Sequence, residues 1–135
     1  MRIRTSFAVL LTVTIARPGV AADYDGRQPF ICAPTDIVAC ESGAQCGKET
    51  AASINFPSFL HFDVAQNEIT GTRPSGETLK AAIDTVRHTE TEMMLQGVDG
   101  DAVWSAKIAE NTGDMTIVAA RDQDGFVAFG ACTLR

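Results

Sequence analysis

The most constraining feature of this chain is how its four cysteines are placed relative to its last segment. Cys32, Cys40 and Cys46 lie close together, whereas Cys132 is within the last ten residues. That last segment, 126–135, follows the turn pair Asp124-Gly125 and alternates in a way that predicts a closing β-strand. One face of the strand is expected to carry Phe126, Ala128, Gly130, Cys132 and Leu134. We therefore predict that this strand ties the end of the chain back to its beginning.

Residues 1–22 have the pattern of a signal peptide. Arg2 and Arg4 form a basic start, an apolar run follows, and Val20-Ala21-Ala22 supplies small residues for cleavage before Asp23. The apolar run is shorter than the roughly 20 residues that a membrane span requires. The sequence thus predicts a single β domain, 23–135, that is periplasmic or secreted and has no membrane segment after cleavage.

Four cysteines in a small exported chain predict two disulfides. We favour Cys32–Cys132 with Cys40–Cys46; the alternative is Cys32–Cys40 with Cys46–Cys132, because spacing alone does not decide the pairing. A bridge between Cys32 and Cys132 closes about 100 residues and is expected to contribute up to about 4.7 kcal/mol in the chain-entropy model. The cysteine spacings are wider than those typical of structural zinc sites.

The net charge indicates which classes of partner suit the domain. The chain has 11 basic and 17 acidic residues, a formal net charge of −6. Cleavage after residue 22 removes Arg2, Arg4 and Arg17 and no acid, which leaves eight basic residues and a formal charge of −9. An acidic domain is poorly suited to nucleic acid and compatible with a basic protein partner.

Short alternating segments between Gly, Asp and Asn turns predict an all-β fold. Alternation is clear in 60–64, 104–108 and 115–119, and turn signals occur at 111–114 and 122–125. Strands at roughly 8–12-residue spacing favour one small antiparallel barrel or sandwich of seven to eight strands, stapled by disulfides. Residues 33–48 lack this pattern and are expected to form a loop.

The stretch 78–98 is ambiguous. Apolar residues at spacings of three and four are compatible with a helix over about 79–96. Alternation is equally available, and the β-branched residues Thr78, Ile83, Thr85 and Val86 favour strand. We predict two strands here, with an α+β fold containing one helix as the alternative.

Residue types that carry chemistry are sparse. His61 and Asp63 share a predicted strand face, but a catalytic zinc site needs about three protein ligands. The acidic turns at 99–101 and 122–125 lack the distal glutamate of a calcium-binding EF-hand loop. The sequence predicts no catalytic residues, no metal and no cofactor, and it indicates a binding protein rather than an enzyme.

Two resemblances bear on function. The motifs Leu95-Gln96-Gly97, Trp104-Ser105, Met115-Thr116, Phe129-Gly130 and Cys132-Thr133, which fall in about the last 45 residues, resemble small exported bacterial β proteins of uncharacterised activity. Separately, Ser75-Gly76 resembles the start of the Ser-Gly-x-x-aromatic loop in inhibitors of c-type lysozyme, which are disulfide-stapled β-barrels. Leu79 stands where that family has its aromatic residue.

Two functional hypotheses follow. The first is an interaction module, an inhibitor of a basic envelope protein, that presents Ser75, Gly76 and Glu77 as its partner loop. The second is a lipocalin-like carrier of a small apolar ligand. Its pocket would be lined by Phe62, Trp104, Met115 and Phe126.

Overall fold

The computed structural model describes residues 23–135, and the predicted signal peptide lies outside the described residues. Within 23–135 the chain forms ten strands and no helix, so no helix in this part of the chain could cross a membrane. The strands are β1 Phe30–Glu41, β2 Gly47–Glu49, β3 Leu60–Asp63, β4 Glu68–Thr72, β5 Thr78–Ala82, β6 Thr85–His88, β7 Glu92–Asp99, β8 Ala102–Ala109, β9 Asp114–Ala120 and β10 Asp124–Leu134.

All ten strands belong to one antiparallel sheet, which confirms the all-β prediction. The strand order is β5-β4-β3-β1-β10-β9-β8-β7-β6, and β2 pairs with β1 beside this series. The sheet curls so that β5, at one end of the order, lies against β7 near the other end. The backbone N–H of Asp84, between β5 and β6, donates to the carbonyl of Gln96 in β7 at 2.8 Å. The result is a barrel-like sheet around an apolar interior.

The first strand is longer than the sequence predicts. Residues 33–41, expected to form a loop, continue β1 and pair with β10 from Phe30↔Leu134 to Glu41↔Asp124. The pairing shifts register between Pro34 and Asp36. Proline has no N–H to give to the ladder, so a bulge is where a strand accommodates it. The bulge interrupts the alternation, which is why the sequence pattern did not indicate a strand.

The ambiguous stretch contains three strands, β5, β6 and β7, rather than two strands or a helix. In β7 every second residue from Met93 to Gly97 is buried, with exposed residues between them. The short chain turn at Ile83 and Asp84 divides β5 from β6. This division and the three-residue strand β2 account for ten strands where the sequence predicts seven to eight.

Both disulfides join the cysteines that the sequence analysis favours. Cys32 is bonded to Cys132 over a sequence separation of 100, and Cys40 to Cys46 over a separation of six. Cys32 and Cys132 are direct register partners in β1 and β10, and both are buried. Two disulfides are consistent with an oxidising environment.

One end of the barrel-like sheet is closed by the segment before β1. Tyr24 is buried, and its hydroxyl donates to the carbonyl of Cys132 at 2.9 Å. Its ring meets Phe30 edge-on, and Phe30 stacks on Phe62 with centroids 5.0 Å apart. Beside it, the backbone N–H of Arg27 donates to Asp25, and this bond is the main cause that lowers the pKa of the Asp25 carboxyl.

Candidate functional site

The opposite end of the sheet, here called the open end, contains a cavity of about 290 Å³, whose opening is called its mouth. It lies where β1 ends, where β10 begins and where the β4–β5 and β7–β8 hairpins turn, because residues from all these places line it. Its apolar lining is Ala39, Ile54, Phe56, Leu60, Ile69, Leu79, Ala81, Ala102, Trp104, Ile117, Ala119, Ala120 and Phe126. A cleft lined mainly by apolar residues, with a volume close to the lower limit of roughly 300 Å³ for ligand pockets, is compatible with a small-molecule site.

The wall formed by β8, β9 and β10 is built by cross-strand pairing. Ala119 is the register partner of Trp104 on one side and of Phe126 on the other. Inward-facing residues of neighbouring strands lie side by side, so a small alanine between two aromatic residues leaves space. The cavity therefore owes part of its volume to Ala119.

Trp104 forms the polar exception in this wall. Trp104 is buried, with a relative exposure of 8%, and its indole Nε1 has no hydrogen-bond acceptor within 23–135. An indole N–H in an apolar interior normally has a partner. Trp104 is thus a cavity-lining residue whose indole N–H has no hydrogen-bond partner among the described residues.

The indole ring is seated against a glycine. Gly97 in β7 is the register partner of Trp104, and a Cβ built on Gly97 would lie 2.7 Å from Trp104 Cζ2. That Cβ would also overlap the carbonyl oxygen of Ala82. Only glycine permits this approach of the ring and of the Ala82 backbone.

Charged residues surround the mouth: Glu41, Arg73, Asp99, Arg121 and Asp124. Arg73 pairs with Asp99 at 3.4 Å, which links the β4–β5 hairpin to the β7–β8 hairpin. Arg121 lies 3.4 Å from Asp101 and 3.6 Å from Asp124. Both guanidinium groups of the mouth therefore already have carboxylate partners.

The segment between β2 and β3 lies over one side of the mouth. Phe56 is buried and meets Phe126 edge-on, with ring centroids 4.9 Å apart. Asn55, with a φ of 50°, accepts from Arg73 Nη1 through its carbonyl and from the Ser75 N–H through its side chain, both at 3.1 Å. These bonds fasten the segment to the β4–β5 hairpin.

The four predicted pocket residues divide into two groups. Trp104 and Phe126 line the cavity. Phe62 and Met115 do not: both are almost fully buried, and Phe62 stacks on Phe30 towards the closed end. Alternation placed all four residues on inward faces, but it does not indicate at which end of the barrel-like sheet each one lies.

Ser75, Gly76 and Glu77, the predicted partner loop, are exposed in the β4–β5 hairpin. Gly76 has a φ of 90°, and the Ser75 hydroxyl donates to the Glu77 carboxylate at 3.3 Å. Arg73, which precedes this loop, and Leu79, which follows it, both line the cavity. The loop and the cavity are thus at the same end of the molecule.

His61 and Asp63 lie together on β3, as alternation predicts, and border a surface depression shared with Glu68. Within the described part of the chain, no group of three or more His, Cys, Asp or Glu residues is arranged to hold a metal ion. The outer surface of the sheet also carries exposed apolar side chains, chiefly Val98, Val103, Val118 and Phe129.

Comparison of the chain with protein-family models, with curated proteins and with solved structures finds no match.

Proposed function

We propose that this protein is a non-catalytic binding protein that holds a small, mainly apolar ligand in the cavity at the open end of the sheet. The observation that carries the proposal is the cavity itself, about 290 Å³ in volume and lined mainly by apolar side chains. Burial of a ligand's apolar surface against such a lining supplies the main free energy of binding. The signal-peptide pattern of 1–22 and the two disulfides support a role outside the cytoplasm.

Ala119 provides the test, because it lies between Trp104 and Phe126 and a larger side chain there would fill the cavity. We expect Ala119→Phe to weaken ligand binding by about tenfold or more, since the space that the ligand needs is occupied by the new ring. Binding is measured by Trp104 fluorescence during titration with fatty acids, aromatic ketones, aromatic hydrocarbons and alcohols. Trp104 is the only tryptophan in the chain, so the signal has one source.

Val118→Phe is the matched control, because Val118 is the neighbouring residue on the same strand and is exposed on the outer face. It adds a similar ring without entering the cavity and is expected to leave affinity unchanged. Thermal unfolding of both variants shows whether each remains folded. If no ligand class perturbs Trp104, or if both variants bind as tightly as the wild type, the cavity is not a ligand site.

A second function is an inhibitor of a basic protein, with Ser75, Gly76 and Glu77 as the contact loop. It is favoured by the exposure of this loop and by the Glu77 carboxylate, which forms no ion pair with any residue of 23–135. The formal charge of −9 in the region after the predicted cleavage site would steer a cationic partner towards the domain.

Reversing the charge of Glu77 tests whether the 75–77 loop itself makes the contact or whether the overall negative charge of the domain accounts for binding. We expect Glu77→Lys to slow association with a c-type lysozyme by about threefold to tenfold. Glu90→Lys makes the same charge change on an exposed residue between β6 and β7, and is expected to have a smaller effect. Surface plasmon resonance at two salt concentrations measures both rates. Equal effects of the two variants would contradict a contact at the 75–77 loop.

A further inference from the structure

We propose that residues 50–57, here called the strap, move aside when a ligand enters or leaves the cavity, and that Arg73 holds the strap closed. This inference rests on the proposed ligand-binding function and adds a device that controls the exchange of the ligand. Ile54 and Phe56 of the strap line the cavity, so the position of the strap decides how much of a bound molecule is covered.

The first observation is that the strap forms its backbone hydrogen bonds within itself. Three of them fold it into successive turns: Ile54 N–H to the carbonyl of Thr50, Asn55 N–H to Ala52 and Phe56 N–H to Ala51. Within the described chain, no residue of the strap belongs to a strand, whereas β1, β10, β9, β8 and β7 are joined side by side in continuous ladders. The strap can therefore move as a unit while the ladders of the sheet stay intact.

The second observation is that a single residue fastens the strap to the sheet. The carbonyl oxygen of Asn55 accepts from Arg73 Nη1, and the side-chain oxygen of Asn55 accepts from the N–H of Ser75, both at 3.1 Å. Within 23–135 these two are the only hydrogen bonds that join the strap to any part of the sheet beyond β2. Opening of the strap therefore depends on the bonds at Asn55.

The third observation is that Arg73 also spans a gap in the ladders. In the described sheet, β5 and β7 lie against each other but are not paired neighbours in the strand order. The guanidinium of Arg73, next to the β4–β5 hairpin turn, donates to the carboxylate of Asp99 at the end of β7 at 3.4 Å. A guanidinium has five donors in a fixed fork, so one group can hold two acceptors at once. Arg73 thus joins the strap to both sides of this gap.

The position of Arg73 determines which rates it controls. To open, the strap must give up its bonds at Asn55 and lift Phe56 from Phe126, whose ring centroid is 4.9 Å away. Loss of the Arg73 bonds destabilises the closed strap whether or not a ligand is present, so it speeds entry and release together. Loss of a direct contact with the ligand would instead speed release alone.

Arg73→Met tests this role, because methionine keeps most of the length of the side chain and has no donors. We expect association and dissociation of methyl naphthyl ketone each to become about fivefold faster or more, with the dissociation constant changed by less than about twofold. Stopped-flow measurement of Trp104 fluorescence gives both rates. The ketone is neutral, so the lost positive charge neither attracts nor repels it.

Arg87→Met is the matched control, because Arg87 is an exposed arginine of β6 that forms no ion pair with any residue of 23–135. It is expected to leave both rates unchanged. Unchanged rates in Arg73→Met, or faster dissociation without faster association, would overturn the inference and leave ligand binding standing. Failure of the ketone and of the other probe classes to bind to the wild type would overturn the proposed function, and ligand entry past the strap with it.

A second measurement requires no ligand. The Ser75 N–H donates to the Asn55 side chain, so the closed strap protects this amide from hydrogen exchange. We expect Ser75 to exchange about fivefold faster or more in Arg73→Met than in the wild type, and at the wild-type rate in Arg87→Met. Equal Ser75 exchange in the wild type and in Arg73→Met would contradict the role of Arg73.

Asn55→Gly provides an independent variant in case Arg73→Met does not fold. Asn55 has a φ of 50°, which glycine adopts without strain, and glycine lacks the side-chain acceptor for the Ser75 N–H. The bond from Arg73 to the backbone carbonyl can remain. We expect Asn55→Gly to speed both ligand rates as well, and wild-type rates in this variant would contradict the fastening of the strap at Asn55.

Discussion

Replacing Cys32 and Cys132 together with alanine is expected to lower the free energy of unfolding by about 4–5 kcal/mol. The bridge joins β1 to β10 across a sequence separation of 100 and therefore restricts the unfolded chain strongly. Domains of this size are stable by only about 5–15 kcal/mol, so the loss is a large part of the total. Urea denaturation without reductant, followed by circular dichroism, measures the change.

The second disulfide provides the matched control. The bridge between Cys40 and Cys46 has a separation of only six residues, and the same chain-entropy relation gives about 2 kcal/mol for its removal. Each double variant removes two sulfur atoms and one disulfide bond; Cys32 and Cys132 are buried whereas Cys46 is exposed, so the difference reports the length of the closed loop together with the loss of buried packing. A Cys32/Cys132 variant no less stable than the Cys40/Cys46 variant would contradict the view that the long bridge dominates.

Gly97→Ala is expected to lower the free energy of unfolding by about 1–3 kcal/mol and to displace the indole of Trp104. The new methyl group would overlap the carbonyl oxygen of Ala82 and lie 2.7 Å from Trp104 Cζ2, so either the β5–β7 contact or the ring must move. Because the ring lines the cavity, ligand affinity should fall as well. Urea denaturation and the emission wavelength of Trp104 measure the two effects.

Gly47→Ala is the control for this substitution. Gly47 is also a strand glycine, in β2, but a Cβ built there meets no atom within 4 Å. The change is therefore expected to alter stability by less than about 0.5 kcal/mol and to leave the fluorescence unchanged. Equal effects of the two substitutions would show that the close approach at Gly97 does not constrain Trp104.

Local patterns in the sequence were sufficient for the fold class. Alternation correctly assigned the inward faces of β8, β9 and β10, because residues such as Ile108, Ile117 and Ala128 lie where the pleat of a strand points them. The secondary structure of the stretch 78–98 was harder to predict, since its apolar residues fit both the helical and the strand periodicity. Its strands pair with neighbouring strands in hairpins, β5 with β4 and β7 with β8, and β5 also packs against β7 where the sheet curls, and the periodicity of the stretch reports none of these contacts.

The candidate site was only partly predictable for a related reason. Alternation indicates that Trp104, Met115 and Phe126 face inwards, but only the register between strands determines which of them lie at the open end. Met115 pairs with Ile108 towards the closed end, whereas Trp104 and Phe126 meet through Ala119 near the mouth. The contribution of Arg73 and Asn55 could not be read from periodicity, because it depends on the hydrogen bonds that join the segment before β3 to the β4–β5 hairpin.

The most direct experiment is to locate a bound probe by nuclear Overhauser effects between methyl naphthyl ketone and the isotope-labelled protein. Ligand binding in the cavity predicts contacts from the naphthyl protons to Leu79, Ile117 and Phe126, which line the cavity at the open end. Contacts to Val98, Val103 and Val118, which are exposed on the outside of the sheet, would instead place the probe on the outer surface and contradict the proposed site.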